Sequence, residues 1–527
     1  MEDNIAECTT QSYKQWNEVL VMRHFNYIGN NRKSFEDLMH KEFGRRVIYT
    51  DKEFIDETNI LEELGKALGH HSINQMAIEY LDNYYLGDQP ILYRSKTVRP
   101  EINNRVVENH AYELVESKVA DLYGEPVQYV LKGIEDENKS EQLMQLNNYL
   151  ESEDKAQIDI EKGRWQSICG TGYIFVGKDN RMPKDYDEAP FYLKCEHPYD
   201  TFVCYYSDDN TPAFSCQIRS DEQGDYYFIY TNAEWFKIRS GGTYGIEDKG
   251  VNGNFMIPVI EYPNNERRLS DIEVSITLTD AMNKMQSDRM NGVEQFVQAF
   301  MKFKNCEIDK DTFLEMCGLG AIQINTTASG NDADVELMTA QLDQQQTQTA
   351  KDDLYENFLI IQGKPSRQEA SGGDTGQAVA LRNGYYDEDK RAELRVPMFK
   401  KSERMLLRVV LNKLRVVRDF DLKIHEIEIK PKRSKLENMM VKAQVLQILH
   451  SVGVDDAIAL KTINLFSDVQ ETIAMSTERM EQNFNHANGL DTVETTTVEA
   501  TDDESVKEMT NEFDKQKNVA EQSNFTM

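Results

Sequence analysis

The chain has 527 residues, with 59 Lys and Arg against 91 Asp and Glu, so its formal net charge is −32. Such a surface repels phosphate, which excludes tight wrapping of duplex DNA but still allows DNA to pass without being held. Seven scattered cysteines without a C-x-x-C pair, a polar acidic start and the lack of an apolar run of about 18 residues argue against disulfide frameworks, zinc sites, signal peptides and membrane spans.

Two amphipathic helices are predicted in the N-terminal part. In the first, apolar residues recur at helical spacing from Ile73 to Tyr85, and Gly87 is placed to end the helix. The inward-facing residues of this helix are Ile73, Met76, Ala77, Tyr80, Leu81, Tyr84 and Tyr85. The second helix ends at Gly124, and its inward-facing residues are Val107, Ala111, Leu114, Val115, Val119 and Leu122.

Residues 170–263 have a different composition. Short runs such as GYIFVG, FSCQIRS and DYYFIYT are rich in β-branched and aromatic residues, and turn-forming clusters such as SDDNTP separate them. This pattern predicts an antiparallel β-region. The fold class predicted for the whole chain is therefore α+β, mainly helical.

A long helix is predicted from Ser270 to Phe303. Ser270 and Glu273 form a capping-box pattern, and Leu269 and Val274 occupy the positions of a hydrophobic staple. The span of about 34 residues would be about 50 Å long.

Residues 304–340 mix polar and apolar residues and are rich in turn-forming residues. A further helix, the second after the β-region, is predicted over 341–362. Its first half is polar all round, which is typical of a helix that bridges solvent or lines a wet space. Its second half offers Leu354, Phe358, Leu359 and Ile361 to a core.

The segment QGKPSRQEASGGDTGQ joins this helix to the next one. It is not a Walker A motif, because its lysine precedes the glycine pair and Asp374 follows that pair, where an acid would repel phosphate. The glycines instead provide conformational freedom. A mobile loop over 363–374 is therefore favoured over a nucleotide site.

A third long helix is predicted from 375, with Asp374 and Gln377 as a cap pair and a bend just before Pro397. The segment from Asp389 to Lys435 contains fifteen Lys and Arg but only seven Asp and Glu. Two interpretations of this basic segment are open: the bases pair with acids of a neighbouring subunit, or they form a ring that touches DNA.

The C-terminal part is predicted to contain one strand, three helices and an acidic tail. HEIEIKP predicts the strand, and Ser434 with Glu437 caps the first helix. The two shorter helices lie near Asp456–Phe466 and Asp468–Glu481. The tail after Ala487 is predicted to be disordered in isolation.

No enzyme, cofactor or metal site is predicted. Asp309–Met316 begins like an EF-hand loop but lacks its glycine and its final glutamate. His197 and Asp200 have no nucleophile near them in sequence. The motifs G-x-S-x-G, H-E-x-x-H and G-x-G-x-x-G are absent.

Three stretches, taken in order, resemble one family. They are YYLGDQPILYR with NRVVENHAYELVESKVADLYGEPVQYV, then IPVIEYPNNERRLSDIEVSITLTDAMNKMQSDRMNGVEQF, then GKPSRQEASGGDTGQAVALRN. Their order and spacing are similar to those of the portal (head-to-tail connector) proteins of tailed double-stranded DNA bacteriophages, in the branch found in long-tailed phages of Gram-positive hosts. The resemblance covers roughly Tyr80 to Leu465.

This resemblance implies a homo-oligomeric ring, usually a dodecamer, at one vertex of the capsid of the virion, assembled in the host cytoplasm. Its implied partners are the double-stranded DNA in the channel, the terminase large subunit, a head-completion adaptor, and the major capsid and scaffolding proteins. The implied parts are an N-terminal part and wing (1–269), a wing-to-stem helix (270–303), a clip (304–340), a second stem helix (341–362), a tunnel loop (363–374), a long kinked wing helix (375–424), a crown (425–485) and a tail (486–527).

The resemblance also implies site residues in three groups. The tunnel-loop residues expected at the DNA are Lys364, Ser366, Arg367, Gln368, Glu369, Gly372 and Gly373. The stem residues expected to line the channel are Gln344, Gln345, Gln348 and Lys351. The clip residues expected to dock the terminase and the adaptor are Glu307, Asp309, Lys310, Asp311, Asn331 and Asp332.

Two other classes of protein stay open on the residues alone. A different virion protein, such as a scaffold or an internal protein, would not form closed rings. A metal-dependent nuclease would use acidic clusters, but the chain has no compact motif for one and its acidic balance is unsuited to gripping DNA.

Overall fold

The computed structural model describes residues 43–97, 99–132, 137–178, 188–241, 243–297, 300–304, 311, 334–338, 344–366, 384–432, 439–455, 458–460, 473 and 476. These residues form an α+β fold, which confirms the predicted class. The chain divides into two compact units, Met1–Leu436 and Glu437–Met527.

The described helices, in chain order, are α1 (Ile60–Leu86), α2 (His110–Tyr123), α3 (Glu137–Ser152), α4 (Lys155–Cys169), α5 (Ile276–Val297), α6 (Gln344–Gln362), α7 (Tyr385–Arg418) and α8 (Met439–Ser451). The described strands are β1 (Ile48–Thr50), β2 (Gln128–Leu131), β3 (Thr171–Gly177), β4 (Tyr192–Glu196), β5 (Thr201–Tyr206), β6 (Pro212–Asp221), β7 (Gly224–Tyr230), β8 (Glu234–Gly241), β9 (Thr243–Val251), β10 (Val259–Pro263), β11 (Phe300–Lys304), β12 (Asp334–Met338) and β13 (Ile427–Lys430).

Helix α1 confirms the first predicted helix but begins earlier. It ends at Gly87, whose φ of 100° is the left-handed conformation that suits glycine. Its inward face matches the prediction at Ala77, Leu81, Tyr84 and Tyr85, but Met76 is 42% exposed and Ile78 is buried instead. The reason is the packing partner: Ile78 lies in one hydrophobic cluster with Ala111 and Val115 of α2.

Helix α2 begins at His110, so Val107 lies outside it and that part of the prediction is wrong. The chain before α2 instead runs along α5. Alternate backbone N–H groups donate to buried α5 side chains: Asn104 to Asn291 Oδ1 at 2.7 Å, Val106 to Ser287 Oγ at 2.9 Å and Glu108 to Asn283 Oδ1 at 2.9 Å.

The spacing of these contacts has a simple geometric basis. Four residues of a helix advance about 6.0 Å, and two residues of an extended chain advance about 6.6 Å. The side chains of Asn283, Ser287 and Asn291 therefore stay in step with every second N–H of the extended chain. We call this set the α5 polar ladder.

Two sheets build the β-region, which confirms the antiparallel prediction. The larger has the order β1-β5-β6-β7-β8-β9, and the smaller has the order β10-β3-β4. Strand β1 is the exception, because it pairs in parallel with β5, with Ile48 opposite Cys204. One face of the larger sheet packs on the start of α1, where Ile60 and Leu64 meet Phe214 and Phe236.

The smaller sheet packs against α7 in the largest cluster of buried apolar residues. Leu406, Leu407 and Val410 of α7 lie there with Ile174 of β3 and Ile260 of β10. The predicted strand HEIEIKP is confirmed as β13, which joins the same cluster and pairs with β2 in the first unit.

A buried charge network lies beside this cluster. Glu403 of α7 is fully buried, forms a salt bridge with Lys155 at 3.2 Å and accepts hydrogen bonds from the hydroxyls of Tyr129 and Tyr262. The only acid of α7 beyond Glu393 therefore points into the core.

Helix α5 is shorter than predicted, and the expectation of one helix from Ser270 to Phe303 is wrong. Ser270 N–H does bond to Glu273 Oε2 at 2.7 Å, but this box closes a turn, and α5 begins only at Ile276. Val274, the predicted staple residue, is 48% exposed. At the other end, Phe300–Lys304 is strand β11, which pairs with β12.

Helices α6 and α7 lie within the predicted spans. Phe358 and Leu359 of α6 are buried as predicted, but Ile361 is 42% exposed and does not belong to the core. Pro397 lies inside α7, and the bend there stays a prediction. The predicted cap pair Asp374 and Gln377 falls outside the described residues.

The described part of the second unit contains α8, with helical residues at 458–460 beyond it. Ser434, Glu437, most of the two shorter helices and the acidic tail lie outside the described residues. The boundaries of the predicted parts therefore stay predictions.

Candidate functional site at the base of the 363–374 loop

The two chain segments that flank the predicted loop lie side by side. Gly363 follows the last residue of α6, and Gly384 precedes the first residue of α7. A methyl group at Gly384 would lie 4.0 Å from Lys364 O and from Pro365 Cα. The segment between them therefore leaves and re-enters the body at one place.

Asp271 is the central residue of this place. Its Oδ1 accepts from Lys118 Nζ at 2.9 Å and from Arg395 Nη2 at 2.7 Å, and its Oδ2 accepts from Ser167 Oγ at 2.8 Å. Burial alone would disfavour the charged carboxylate, but Arg395 and Lys118 outweigh it and hold the pKa of Asp271 well below its usual range. The carboxylate thus joins α2, α4 and α7.

Gln362 connects the end of α6 to the same centre. Its Oε1 accepts from Lys118 Nζ at 2.9 Å, and its Nε2 donates to Asp271 O at 2.8 Å and to Ser275 Oγ at 2.7 Å. Burial lowers the pKa of Lys118 to about 8, although Asp271 opposes this shift. We call Asp271, Lys118, Arg395, Gln362 and Ser167 the Asp271 hub.

Two further contacts fix the start of the loop. Arg391 Nη1 donates to Ile361 O at 2.7 Å, so a side chain of α7 caps the end of α6. Lys364 Nζ forms a salt bridge with Glu388 at 2.6 Å, and their side chains are only 9% and 17% exposed. The ammonium expected to meet DNA phosphates is therefore engaged within its own chain, and its contact with DNA stays a prediction.

A cleft lies beside the hub. It has a volume of about 210 Å³, and Lys118, Lys364 and Arg395 line it together with Asp271 and Glu388. These three cations each have an acid as partner, whereas Arg391, which also lines the cleft, donates to Ile361 O. Among the described residues, no group of His, Cys, Asp and Glu could hold a metal ion. The Asp271 hub thus links α2, α4, α6 and α7 through side-chain contacts.

The predicted stem residues differ in their surroundings. Gln348 Oε1 accepts from Arg289 Nη1 at 2.6 Å, and Lys351 Nζ donates to Gln286 Oε1 at 3.3 Å, so both bond to α5. Gln345 is exposed on α6, and the side chain of Gln344 is outside the description. Which of them face a channel stays a prediction.

Most predicted loop and clip residues lie outside the described residues. They are Arg367, Gln368, Glu369, Gly372, Gly373, Glu307, Asp309, Lys310, Asn331 and Asp332. Ser366, the last described residue before the rest of the loop, is half-buried. Asp311 of the predicted clip is exposed. Their roles stay predictions.

A second set of contacts that sequence reasoning missed holds α6 to α2. His110 Nδ1 lies 3.0 Å from Glu113 Oε2, and its ring lies 4.9 Å from the ring of Tyr355. Tyr355 Oη donates to Glu113 Oε1 at 2.9 Å, and Lys351 Nζ donates to Glu108 Oε1 at 2.5 Å. Burial alone would lower the pKa of His110, but Glu108 and Glu113 outweigh it and raise the pKa to about 9.

The comparisons with known proteins identify the family. The sequence matches the family described as "Phage portal protein, SPP1 Gp6-like" over residues 64–485. Because this match covers well over half of the 527 residues, the chain belongs to that family and is a structural protein of the phage virion. No curated protein matches the chain.

Two solved structures are also similar to the chain. "Virion of native gene transfer agent (GTA) particle" is 11% identical with a TM-score of 0.40, over 74% of this chain and 93% of that chain. "Neck of empty GTA particle computed with C6 symmetry" is 11% identical with a TM-score of 0.41, over 67% of this chain and 90% of that chain. The family assignment rests on the sequence match. None of the helices in the described ranges is long and apolar enough to span a membrane.

Proposed function

We propose that copies of this chain form a closed ring at one capsid vertex, through which terminase drives the double-stranded genome into the head and through which the DNA later leaves. The match to the portal family over residues 64–485 carries this proposal. ATP hydrolysis belongs to the partner motor, and the ring itself acts as a channel.

The Asp271 hub supports the part assigned to the 363–374 loop. The hub holds Gln362, the Arg391 cap holds Ile361, and Arg395 ties α7 to the Asp271 carboxylate. Because the helices on either side of the loop are fixed in this way, each copy in a ring would present its loop at the same height. The tunnel-loop residues, from Lys364 to Gly373, can then meet the DNA as one collar.

The overall charge suits sliding rather than binding. A dodecamer of chains that each carry −32 has a formal charge of about −384 before counterions. A duplex is therefore repelled from the wall as a whole, and any attraction must come from a few loop bases. Strong attraction would stall movement.

The remaining parts are assigned by the family pattern. Residues 304–340, which include β12 and the last residue of β11, form the clip that docks terminase and later the head-completion adaptor. Residues 341–362 form the second stem helix, 375–424 the long wing helix and 425–485 the crown. The capsid and scaffolding proteins surround the ring.

Native mass spectrometry and negative-stain electron microscopy test the ring. A dodecamer of the 60.9 kDa chain has a mass of about 730 kDa and gives ring-shaped images. A ring with another subunit number leaves the function intact. A monodisperse monomer, or DNA cleavage that depends on a divalent metal, overturns the proposal.

A loop variant tests the channel role separately. Deletion of 367–374 leaves the anchored residues Gly363 to Ser366 in place, so the ring should still assemble while packaging of DNA falls. A Gly-Ser replacement of equal length serves as the control and separates the effect of loop length from that of side chains. Normal packaging by the deletion variant shows that the loop is not a working part of the channel.

A further inference from the structure

The exposed side of α7 carries only positive charges beyond Pro397. Lys401, Arg404, Arg408 and Arg415 are all exposed. The only acid between Glu393 and Asp419 is Glu403, and it is fully buried. We call these four cations the α7 basic stripe.

The helix geometry places the stripe opposite the core. Residues 401, 404 and 408 are separated by three and four positions, and 415 lies seven positions further, so all four share one face. Leu406, Leu407 and Val410 on the other face are buried. From 401 to 415 the stripe is about 21 Å long at about 1.5 Å per residue.

Three other bases of α7 bond to groups on other elements of the chain. Arg395 bonds to Asp271, Arg391 to Ile361 O and Lys413 to Val176 O. Within the described ranges, by contrast, none of the four stripe side chains forms a salt bridge, and Arg415 donates only to Leu422 O, at 3.0 Å. The stripe is thus charge left uncompensated within the described chain.

We propose that the α7 basic stripe binds the acidic surface of the adjacent copy of this chain, an inference that rests on the proposed ring. Contacts around a ring join two different faces of identical chains, so a basic face of one copy can meet an acidic face of the next. Each chain carries −32, and copies repel unless such a match exists at their contact. Guanidinium groups also suit paired bonds to carboxylates.

The surroundings of the stripe favour a protein over DNA as its partner. Leu394, before the stripe, is 80% exposed, and Val416, at its end, is 70% exposed. Apolar side chains at the ends of the stripe would add buried apolar area to a contact with protein, whereas phosphate contacts gain nothing from them.

The test reverses charge in the stripe. The R404E/R408E variant should lose rings or dissociate at least about tenfold more readily in native mass spectra at about 0.15 M salt, where charges act over about 8 Å. R404K/R408K, which keeps the charge, should retain rings. K194E/K249E alters the net charge equally at two exposed lysines of the sheets and should also retain them. Circular dichroism confirms that each variant is folded.

Zero-length crosslinking supplies a second readout on the unmodified protein. In mixed unlabelled and ¹⁵N-labelled rings, Lys401 should crosslink to an Asp or Glu of the other isotope. Normal rings from R404E/R408E with reduced DNA packaging would assign the stripe to DNA, and loss of rings in K194E/K249E as well would show a general charge effect; either overturns the inference. A wild-type chain without rings overturns the proposed function itself.

Discussion

Arg395 of α7 reaches both oxygens of the Asp271 carboxylate, with Nη2 at 2.7 Å from Oδ1 and Nη1 at 3.4 Å from Oδ2. The two residues are far apart in sequence, yet this pair fixes α7 to the turn that leads into α5. Gln362 adds α6 to the same pair through the backbone oxygen of Asp271. The loop between α6 and α7 is therefore anchored by one buried carboxylate.

Replacing this carboxylate should be costly. The Asp271→Asn variant leaves Lys118 and Arg395 without their counter-charge in a buried place, and we expect the free energy of unfolding to fall by about 3–5 kcal/mol. Urea unfolding measures the change. The control is Asp51→Asn at an exposed aspartate, which should unfold like wild type. Equal stability of the two variants would contradict the role of the hub.

The contact between α2 and α6 should weaken as the pH rises. His110 has a pKa raised from 6.5 to about 9, so the folded chain binds its proton more tightly than the unfolded chain. The stabilisation is complete below about pH 6.5 and is lost as the pH rises through about 9. Stability measured from pH 6 to 9 should therefore fall more steeply in wild type than in His110→Gln. Parallel profiles would show that the raised pKa does not stabilise the fold.

The sequence predicted elements whose pattern is local. Apolar spacing and Gly87 located α1, and aromatic runs between turns located the antiparallel strands. The same local reasoning failed where a distant partner decides the structure. Phe300 continues the helical apolar spacing of α5, but its segment pairs with β12, which lies some thirty residues further along the chain.

The Asp271 hub and the loop beside it were only partly visible in the sequence. The lysine and glycines of the loop marked a segment of interest, and the described parts of its flanking helices lie within the predicted spans. Nothing in the linear pattern links Asp271 with Lys118 and Arg395, since their contact depends on three separate elements. Lys364 looked like a free cation because its partner Glu388 lies beyond the loop.

The α5 polar ladder predicts a long-range effect: a substitution in α5 should change the backbone that precedes α2. Ser287→Ala removes the acceptor of the Val106 N–H, and leaving a buried donor unpaired should cost about 1–3 kcal/mol. Hydrogen exchange at the Val106 amide should become faster than in wild type. The control Ser72→Ala changes an exposed serine of α1 and should leave that amide unaffected. Unchanged exchange in Ser287→Ala would mean that the ladder does not hold the segment.

A pair of glycine substitutions tests whether the start of the loop must be held. Gly363 has a φ of +66°, and a methyl group there would lie 2.5 Å from Arg391 Cδ, so Gly363→Ala both strains the backbone and displaces the Arg391 cap. We expect it to lower the free energy of unfolding by about 1 kcal/mol or more.

Gly65 of α1 is the matched control for this change. No atom lies within 4 Å of a methyl group at Gly65, and it sits inside a helix, so Gly65→Ala should stabilise the fold by about 0.5–1 kcal/mol. The two alanine variants should thus shift urea unfolding in opposite directions. If the loop needs a fixed start, Gly363→Ala rings should assemble but package less DNA than Gly65→Ala rings. Equal packaging would mean that the Arg391 cap stabilises the fold without serving the channel.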